Sequence, residues 1–443
     1  EWVKTDLAIA DGGVAGWGHR EAKEVIDVSG AYLAPGFVDA HMHLESSKMW
    51  VSEYVKAVLP YGTTAVAADP HEIANVAGMD GIRALIDAAE HLPFTFGVAA
   101  SSCVPESPFA SAGAAFTVKE VRALIEEHGA IGVAEVMNYP AVINGDPMFR
   151  DIIATAGWRR VDGHAPGLRG PQLDAYLAAG VESDHEVFEL DEAHEKRQKG
   201  MWVFLRQGSV SQDLVRLLPT VVSHGTTATS FCTDDREPDL LRDEGHLNHC
   251  IRLAVESGLS VIDALCVASY YPAQYHNFFH LGSLGPGYQA DVVVFDKLEG
   301  FVPSMVLQKG RVVARNGKIV EGIVPPTSPP ASLYNRINLH HLPTPAELTI
   351  EPPASGMANV IGVWSGTVRT KALQLNVTDP SIDIARIAVV ERHKATGRIG
   401  LGYLSGYGMT RGAIASTVAH DAHNIMVVGA RDETGPADMA VAI

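Results

Sequence analysis

The sequence predicts an α/β chain built on a (β/α)8 barrel, with a small composite β domain drawn from both flanks of the barrel and an α+β domain after it. Three observations predict it. Eight short apolar runs alternate with helical patterns between Gly36 and Cys232, the order that parallel strands joined by crossover helices produce. Ionisable residues break these runs at their C-terminal ends, where such a barrel carries its chemistry. The rival architecture, a doubly wound open sheet, usually needs a Gly-rich phosphate loop, and no G-x-G-x-x-G follows the first run.

Taken in order, Asp6 to Ala10 and Glu24 to Val28 read as short strands separated by the Gly-rich turns "DGG" and "GWG". They form the edge of a small β domain (1–33), inside which the chain is expected to begin. The barrel (34–280) opens with a strand from Gly36 to Ala40, then a helix from Trp50 to Leu59. Strands follow at Thr63 to Ala68, Phe94 to Ala100, Ala130 to Val136, Arg160 to Gly163, Gly180 to Ser183, Met201 to Leu205 and Ala228 to Cys232. Helical patterns at Asp80 to Ala89, Val118 to Glu127 and Pro171 to Ala179 lie between them, and His246 to Glu256 and Val261 to Tyr271 complete the ring. The turn-punctuated strands of 281–324 rejoin the N-terminal ones. Pro325 to Pro330, "PPTSPP", is a linker by composition. Alternating strands such as Arg386 to Glu391 and Asn424 to Val428 then indicate a separate α+β domain over 331–443.

Composition narrows the function. With 443 residues, 47% of them hydrophobic, the chain can bury one large core and a satellite. A formal net charge of −18 argues against a nucleic-acid partner, because phosphate backbones are bound with Lys and Arg. No apolar run reaches the length of a membrane span and no signal-peptide pattern opens the sequence, so no membrane partner and a cytoplasmic location are expected. Cys103, Cys232, Cys250 and Cys266 show no C-x-x-C spacing, which predicts reduced thiols.

The chemistry centres on Ala34 to Ser47, "APGFVDAHMHLESS". Side chains two apart on a strand point the same way, so His41 and His43 can hold one cation from one side. Further along, Glu135 lies in the fourth strand, His164 ends the fifth, His185 the sixth and Asp234 the eighth. Together they suffice for two divalent cations, with Glu135 placed to bridge them. Nitrogen and oxygen donors without thiolate suit Zn, Fe or Mn. A water on such a cation has its pKa lowered toward neutrality, and Asp234 is suited to take its proton and return it to a leaving group. A single His is more often a hydrogen-bonded structural residue than a ligand; groups at five equivalent strand ends are not accounted for that way.

The order H-x-H, acidic bridge, His, His, Asp resembles the amidohydrolase superfamily. The stretches "PGFVDAHMHLESS", "GTTAVAADPHEIANVAG", "GVAEVMN", "GHAPGL", "ESDHE", "FCTDD" and "STVAHDAHNIMVVG" resemble the bacterial adenine deaminases over nearly the whole chain. The resemblance implies a TIM-like metal-dependent hydrolase barrel that deaminates adenine to hypoxanthine and ammonia, a purine-salvage reaction. It also implies that His41, His43, Glu135, His164, His185 and Asp234 are the ligands, with Glu135 where many relatives carry a carboxylated lysine. By analogy the protein is a homo-oligomer. Both ends look short against the family, so the C-terminal domain is expected to be incomplete.

Attack at C6 of adenine requires protonation of the adjacent ring nitrogen. Glu186 is the first candidate donor, although on a continuing strand it would point away from His185; Glu72 and Asp69 are rivals. Arg206, ending the seventh strand, either orients substrate or pairs with one of these acids. His71 and Asn75 are candidate supporting groups, Ser102 a weaker pocket candidate, and His420 and His423 are either a lid or metal pair or a structural cluster. The stray H-x-E at His43 to Glu45 lacks the paired cysteines of the cytidine-deaminase type. Two alternatives remain: a barrel hydrolase acting on a cyclic amide, and a non-catalytic metal-binding protein.

Overall fold

The computed structural model describes residues 2–443, and its chain divides into two compact units. The first comprises 1–71, 82–103 and 116–330; the second comprises 72–81, 104–115 and 331–443.

The first unit opens with a hairpin, Leu7–Ala10 against Gly13–Trp17. The second strand is not the expected Glu24 to Val28, which forms no strand. The reason is local: Asp11 and Gly12 both adopt positive φ, 51° and 79°, the two-residue turn that reverses a chain at once. Tyr32–Pro35 then joins Val292–Phe295, Met305–Gln308, Arg311–Arg315 and Lys318–Ile319 in a five-stranded antiparallel sheet, with Val293 facing Ala34 on one side and Val306 on the other.

Between these strands run eight parallel ones: β1 Phe37–Met42, β2 Thr63–Ala68, β3 Thr95–Val98, β4 Gly132–Val136, β5 Arg160–Gly163, β6 Ser183–Asp184, β7 Trp202–Arg206 and β8 Thr229–Cys232. β1, β2 and β3 pair in that order, as do β4 with β5 and β6, β7 with β8. Single parallel bridges connect the groups, Ala100 to Val133 and Met42 to Asp234, and Glu182 N–H donates to Val161 O at 3.0 Å between β5 and β6. A helix separates each of these strands from the next along the chain. Every residue of β1, β2, β4 and β8 is buried, as expected for parallel strands covered on both faces. Phe37, Val203, Leu205, Phe231, Leu217 and Ile251 belong to one buried apolar cluster. At Gly163 a side chain is excluded, since a Cβ would lie 2.2 Å from Ser183 O; the absent side chain lets β5 and β6 approach just before His164.

One expected helix begins earlier than its sequence pattern indicates. His71–Ala89 replaces the expected Asp80 to Ala89, with a break at Gly78, φ 63°.

The second unit is a six-stranded sheet in the order Lys371–Asn376, Met357–Gly362, Ile399–Ser405, Ala385–Val390, Ile425–Ala430, Ala413–Ser416. The helix Gly435–Ala442 lays Met439 on Leu348, Ala388 and Val427. This unit extends beyond the expected 331–443 because two earlier segments bond into it: Asn424 Nδ2 donates to Ser111 O at 2.7 Å, and Gly113 N to Asn75 O at 2.6 Å. Among the described residues no helix is long and apolar enough to cross a membrane, and all four cysteines are free.

Candidate functional site

Because His41 and His43 end the same strand two residues apart, their rings converge, with Nε2 to Nε2 at 3.1 Å. His43 Nδ1–H donates to Asp69 O at 2.9 Å, which holds the ring so that Nε2 faces inward. That Nε2 lies 3.2 Å from Asp234 Oδ1 and 3.5 Å from Glu135 Oε1. All of these groups are buried.

Glu135, from β4, divides its two oxygens. Oε1 faces His43 and, at 3.4 Å, His71 Nδ1; Oε2 meets His164 Nδ1 at 2.7 Å and His185 Nε2 at 3.2 Å. His185 stacks on His41 with ring centroids 3.9 Å apart. Burial, with the neighbouring imidazoles of His185 and His43, holds His41 well below the ordinary imidazole range, so it stays in its neutral, ligating form.

Asp234 follows β8 in the left-handed region, φ 55°, a conformation Asp tolerates better than most residues. Its N–H donates to His41 O at 3.0 Å, and its O accepts from His43 N at 3.2 Å. Burial alone would raise its carboxyl; the Arg206 guanidinium and then His43 outweigh that and hold it well below the usual carboxylate range.

Arg206 makes the acid pairs of one of the two readings open to it. Nη1 donates to Asp234 Oδ2 at 2.7 Å and to Glu186 Oε1, and Nη2 to Glu186 Oε2 and Asp213 Oδ2, each at 3.1 Å. Glu186 can turn this way because β6 ends at Asp184; strand alternation no longer governs it. His164, His185 and Glu186 offer ligand atoms within 4.8 Å of one another.

Of the remaining candidates, Asp69 and His71 join His43 and Glu135 in one such group, with Asp69 Oδ2 and His71 Nδ1 3.3 Å apart. The Ser102 hydroxyl donates to Glu135 O at 2.7 Å and so braces β4. Glu72 belongs to the second unit, where it pairs with His423 and lies 3.6 Å from His420 Nδ1. Arg392 and His393 hold that His423 loop by its carbonyls at 423 and 422. Sequence reasoning missed Asp213 and Lys196. Asp213 lies seven residues after Arg206, just before the helix Leu214–His224, and reads there as an N-terminal acid.

The donor set fits divalent cations. Imidazoles, one shared carboxylate and a second carboxylate face one another, with the Nε2 atoms of His41 and His43 3.1 Å apart and both turned toward Asp234 Oδ1, at 3.7 and 3.2 Å, a convergence of donor atoms on one spot that a cation can occupy. His, Glu and Asp are hard or borderline ligands, which suits Zn, Fe or Mn without choosing among them.

The family model described as Amidohydrolase family matches residues 32–325, and that described as Adenine deaminase C-terminal domain matches 365–443. An adenine deaminase 2 of Carboxydothermus hydrogenoformans is 40% identical over 98% of this chain and 77% of its own. An adenine deaminase of Nitratidesulfovibrio vulgaris is 41% identical over 100% and 77%. Among solved structures, an adenine deaminase superposes with TM-score 0.55 at 16% identity, covering 70% of this chain and 96% of that one. An atrazine chlorohydrolase of Arthrobacter aurescens, complexed with zinc and atraton, gives 0.53 at 17%, covering 72% and 92%. These structural likenesses speak to the α/β fold alone, whereas the family matches and the sequence identities run through the site and both units: the chain belongs to the adenine deaminase family of the amidohydrolases.

Proposed function

We propose that the protein is a metal-dependent adenine deaminase that hydrolyses adenine to hypoxanthine and ammonia. The observation that carries this reading is Glu135: one carboxylate with an oxygen toward His43 and the other toward His164 and His185. Family membership supplies the substrate. The eight parallel strands and their linking bridges support a closed (β/α)8 barrel, with 1–33 and 281–324 as one small β domain and 331–443 as the core of the C-terminal one.

His41, His43, Glu135, His164, His185 and Asp234 would hold two divalent ions, Mn, Fe or Zn. Such ions supply Lewis acidity, polarising the substrate and lowering the pKa of water. The chain's own residues do the rest. Asp234, oriented by Arg206 on one oxygen and by the histidines on the other, takes a proton from the attacking water and delivers it to the departing amine. Glu186 is the candidate donor to the ring nitrogen beside C6, with Asp69 and Glu72 as rivals. Asp69 and His71 are suited to contact the purine, and adenine, being neutral, needs no basic pocket.

The test is ammonia release from adenine by protein loaded separately with Zn, Mn or ferrous iron, beside a panel of purines and cyclic amides. Substantial release from adenine is expected. Turnover of a cyclic amide with silence on adenine would overturn the substrate and keep the site.

A further inference from the structure

The helix Leu190–Gln198 buries a lysine. Lys196 is 0% exposed, and an ammonium so placed must be fully paired to be tolerated. Its Nζ bonds to Asp184 Oδ2, to Glu192 Oε1 at 2.6 Å and to Ala165 O at 2.7 Å, which uses all three of its donors.

The two carboxylates are themselves tied to backbone. Asp184 Oδ1 accepts from Ala165 N at 3.2 Å and Glu186 N at 2.9 Å. Glu192 accepts from Gly167 N at 2.7 Å and Phe188 N at 3.3 Å. Four amides and one carbonyl thus come from the two loops that carry His164 and His185. β5 ends at Gly163 and β6 at Asp184, so the parallel ladder stops before both histidines and cannot fix them. The cluster does so instead, and its two carboxylates against one ammonium leave one negative charge buried beside two imidazoles, where salt screens it poorly.

We propose that Lys196, Asp184 and Glu192 form a buried ionic clamp that positions His164 and His185 for cation binding and adds a negative charge behind them. These are positioning residues, and the proposal rests on the reading of His164 and His185 as ligands. A merely structural cluster would lower stability and leave the metal-binding properties alone.

The experiment compares wild type, Lys196→Met, Glu192→Gln and His164→Asn, each stripped of metal. Zinc affinity is measured by chelator competition, the visible absorption of the cobalt-loaded protein is recorded, and the metal-free proteins are checked by circular dichroism and melting. Lys196→Met is expected to fold, to bind zinc about 10- to 100-fold more weakly, as loss of an outer partner of a ligand typically does, and to change the cobalt spectrum. Glu192→Gln keeps the shape, is expected to lose less, and carries the test if Lys196→Met does not fold. Wild-type affinity and spectrum in the folded clamp variants, with weakened binding in His164→Asn, would overturn the clamp and leave the ligand reading standing. Wild-type affinity in His164→Asn would overturn the ligand reading instead.

Discussion

Two sets of buried histidines in the first unit make an instructive comparison. His246 is bonded on both ring nitrogens, Nδ1 to Thr63 Oγ1 at 2.8 Å and Nε2 to Tyr54 Oη at 3.2 Å, and His276 Nε2 donates to Ala40 O at 2.7 Å. These rings are bonded to hydroxyls and a backbone carbonyl, with the Asp39 carboxyl 3.4 Å from His246 Nε2. At the strand ends the reverse holds: His43 spends Nδ1 on a carbonyl while its Nε2 faces another imidazole and two carboxylates. His41, His43 and His185 are as buried as His246 and His276. What separates the candidate ligands from the structural histidines is what faces the inner nitrogen: other imidazoles and shared carboxylates in the first set, hydroxyls and a backbone carbonyl in the second.

The sharpest way to break the comparison is at Asp234, the only acid that touches both the imidazole pair and Arg206 among the described residues. Asp234→Asn keeps the volume and removes the base, so kcat is expected to fall by about 10²- to 10⁴-fold or more with an unchanged circular dichroism spectrum. Full activity would sink the assignment. His41→Ala comes next: metal content by elemental analysis should drop well below wild type, whereas His276→Ala should leave it unchanged. Glu186→Gln is smaller. It loses an ionic partner of Arg206, and if Glu186 is the proton donor kcat falls by about 10²-fold with KM little altered; an unchanged kcat would pass the role to Asp69 or Glu72.

The strand ends were legible because a parallel strand covered on both faces is a short apolar run, and the residue that breaks it must be ionisable to matter there. Thr63–Ala68 and Arg160–Gly163 coincide with their expected spans to the residue. The hairpin at Asp11 and Gly12 is hidden because "DGG" reads equally well as part of a longer connection. The first turns of the helix at His71 were hidden by Asp69 and Pro70, which read as punctuation. Lys196 was invisible for another reason. In "LDEAHEKRQ" a lysine four residues after a glutamate reads as a solvent-facing pair, and nothing local says that Asp184 buries it. Nor could sequence distinguish His246 from His164, because the partner that satisfies His246 Nδ1 is Thr63, 183 positions earlier.

The smallest effect concerns the structural histidines and reads out in stability. Burial, then the Arg236 charge, lowers His246 to about 3, and burial lowers His276 to about 4 although its bond to Ala40 opposes this. Tyr54, Asp39 and Thr233 are the other groups facing His246. An unfolded histidine titrates near 6.5, so below that pH the unfolded chain gains a proton that the folded chain refuses. Stability is therefore full above about pH 6.5 and declines as pH falls toward the folded values, by about 1.4 kcal/mol per pH unit for each group. At pH 5 the loss from His246 alone is about 2 kcal/mol. Removing the histidine removes the proton trap: His246→Asn should be less stable than wild type at pH 7.5, since Thr63 and Tyr54 lose a partner at a cost of about 1–3 kcal/mol, yet should lose less on going to pH 5. Urea unfolding of the metal-free proteins at both pH values measures this. Equal losses in the two proteins would mean that His246 takes up its proton inside the fold, and the division between candidate ligands and structural histidines would then have to be drawn on other grounds.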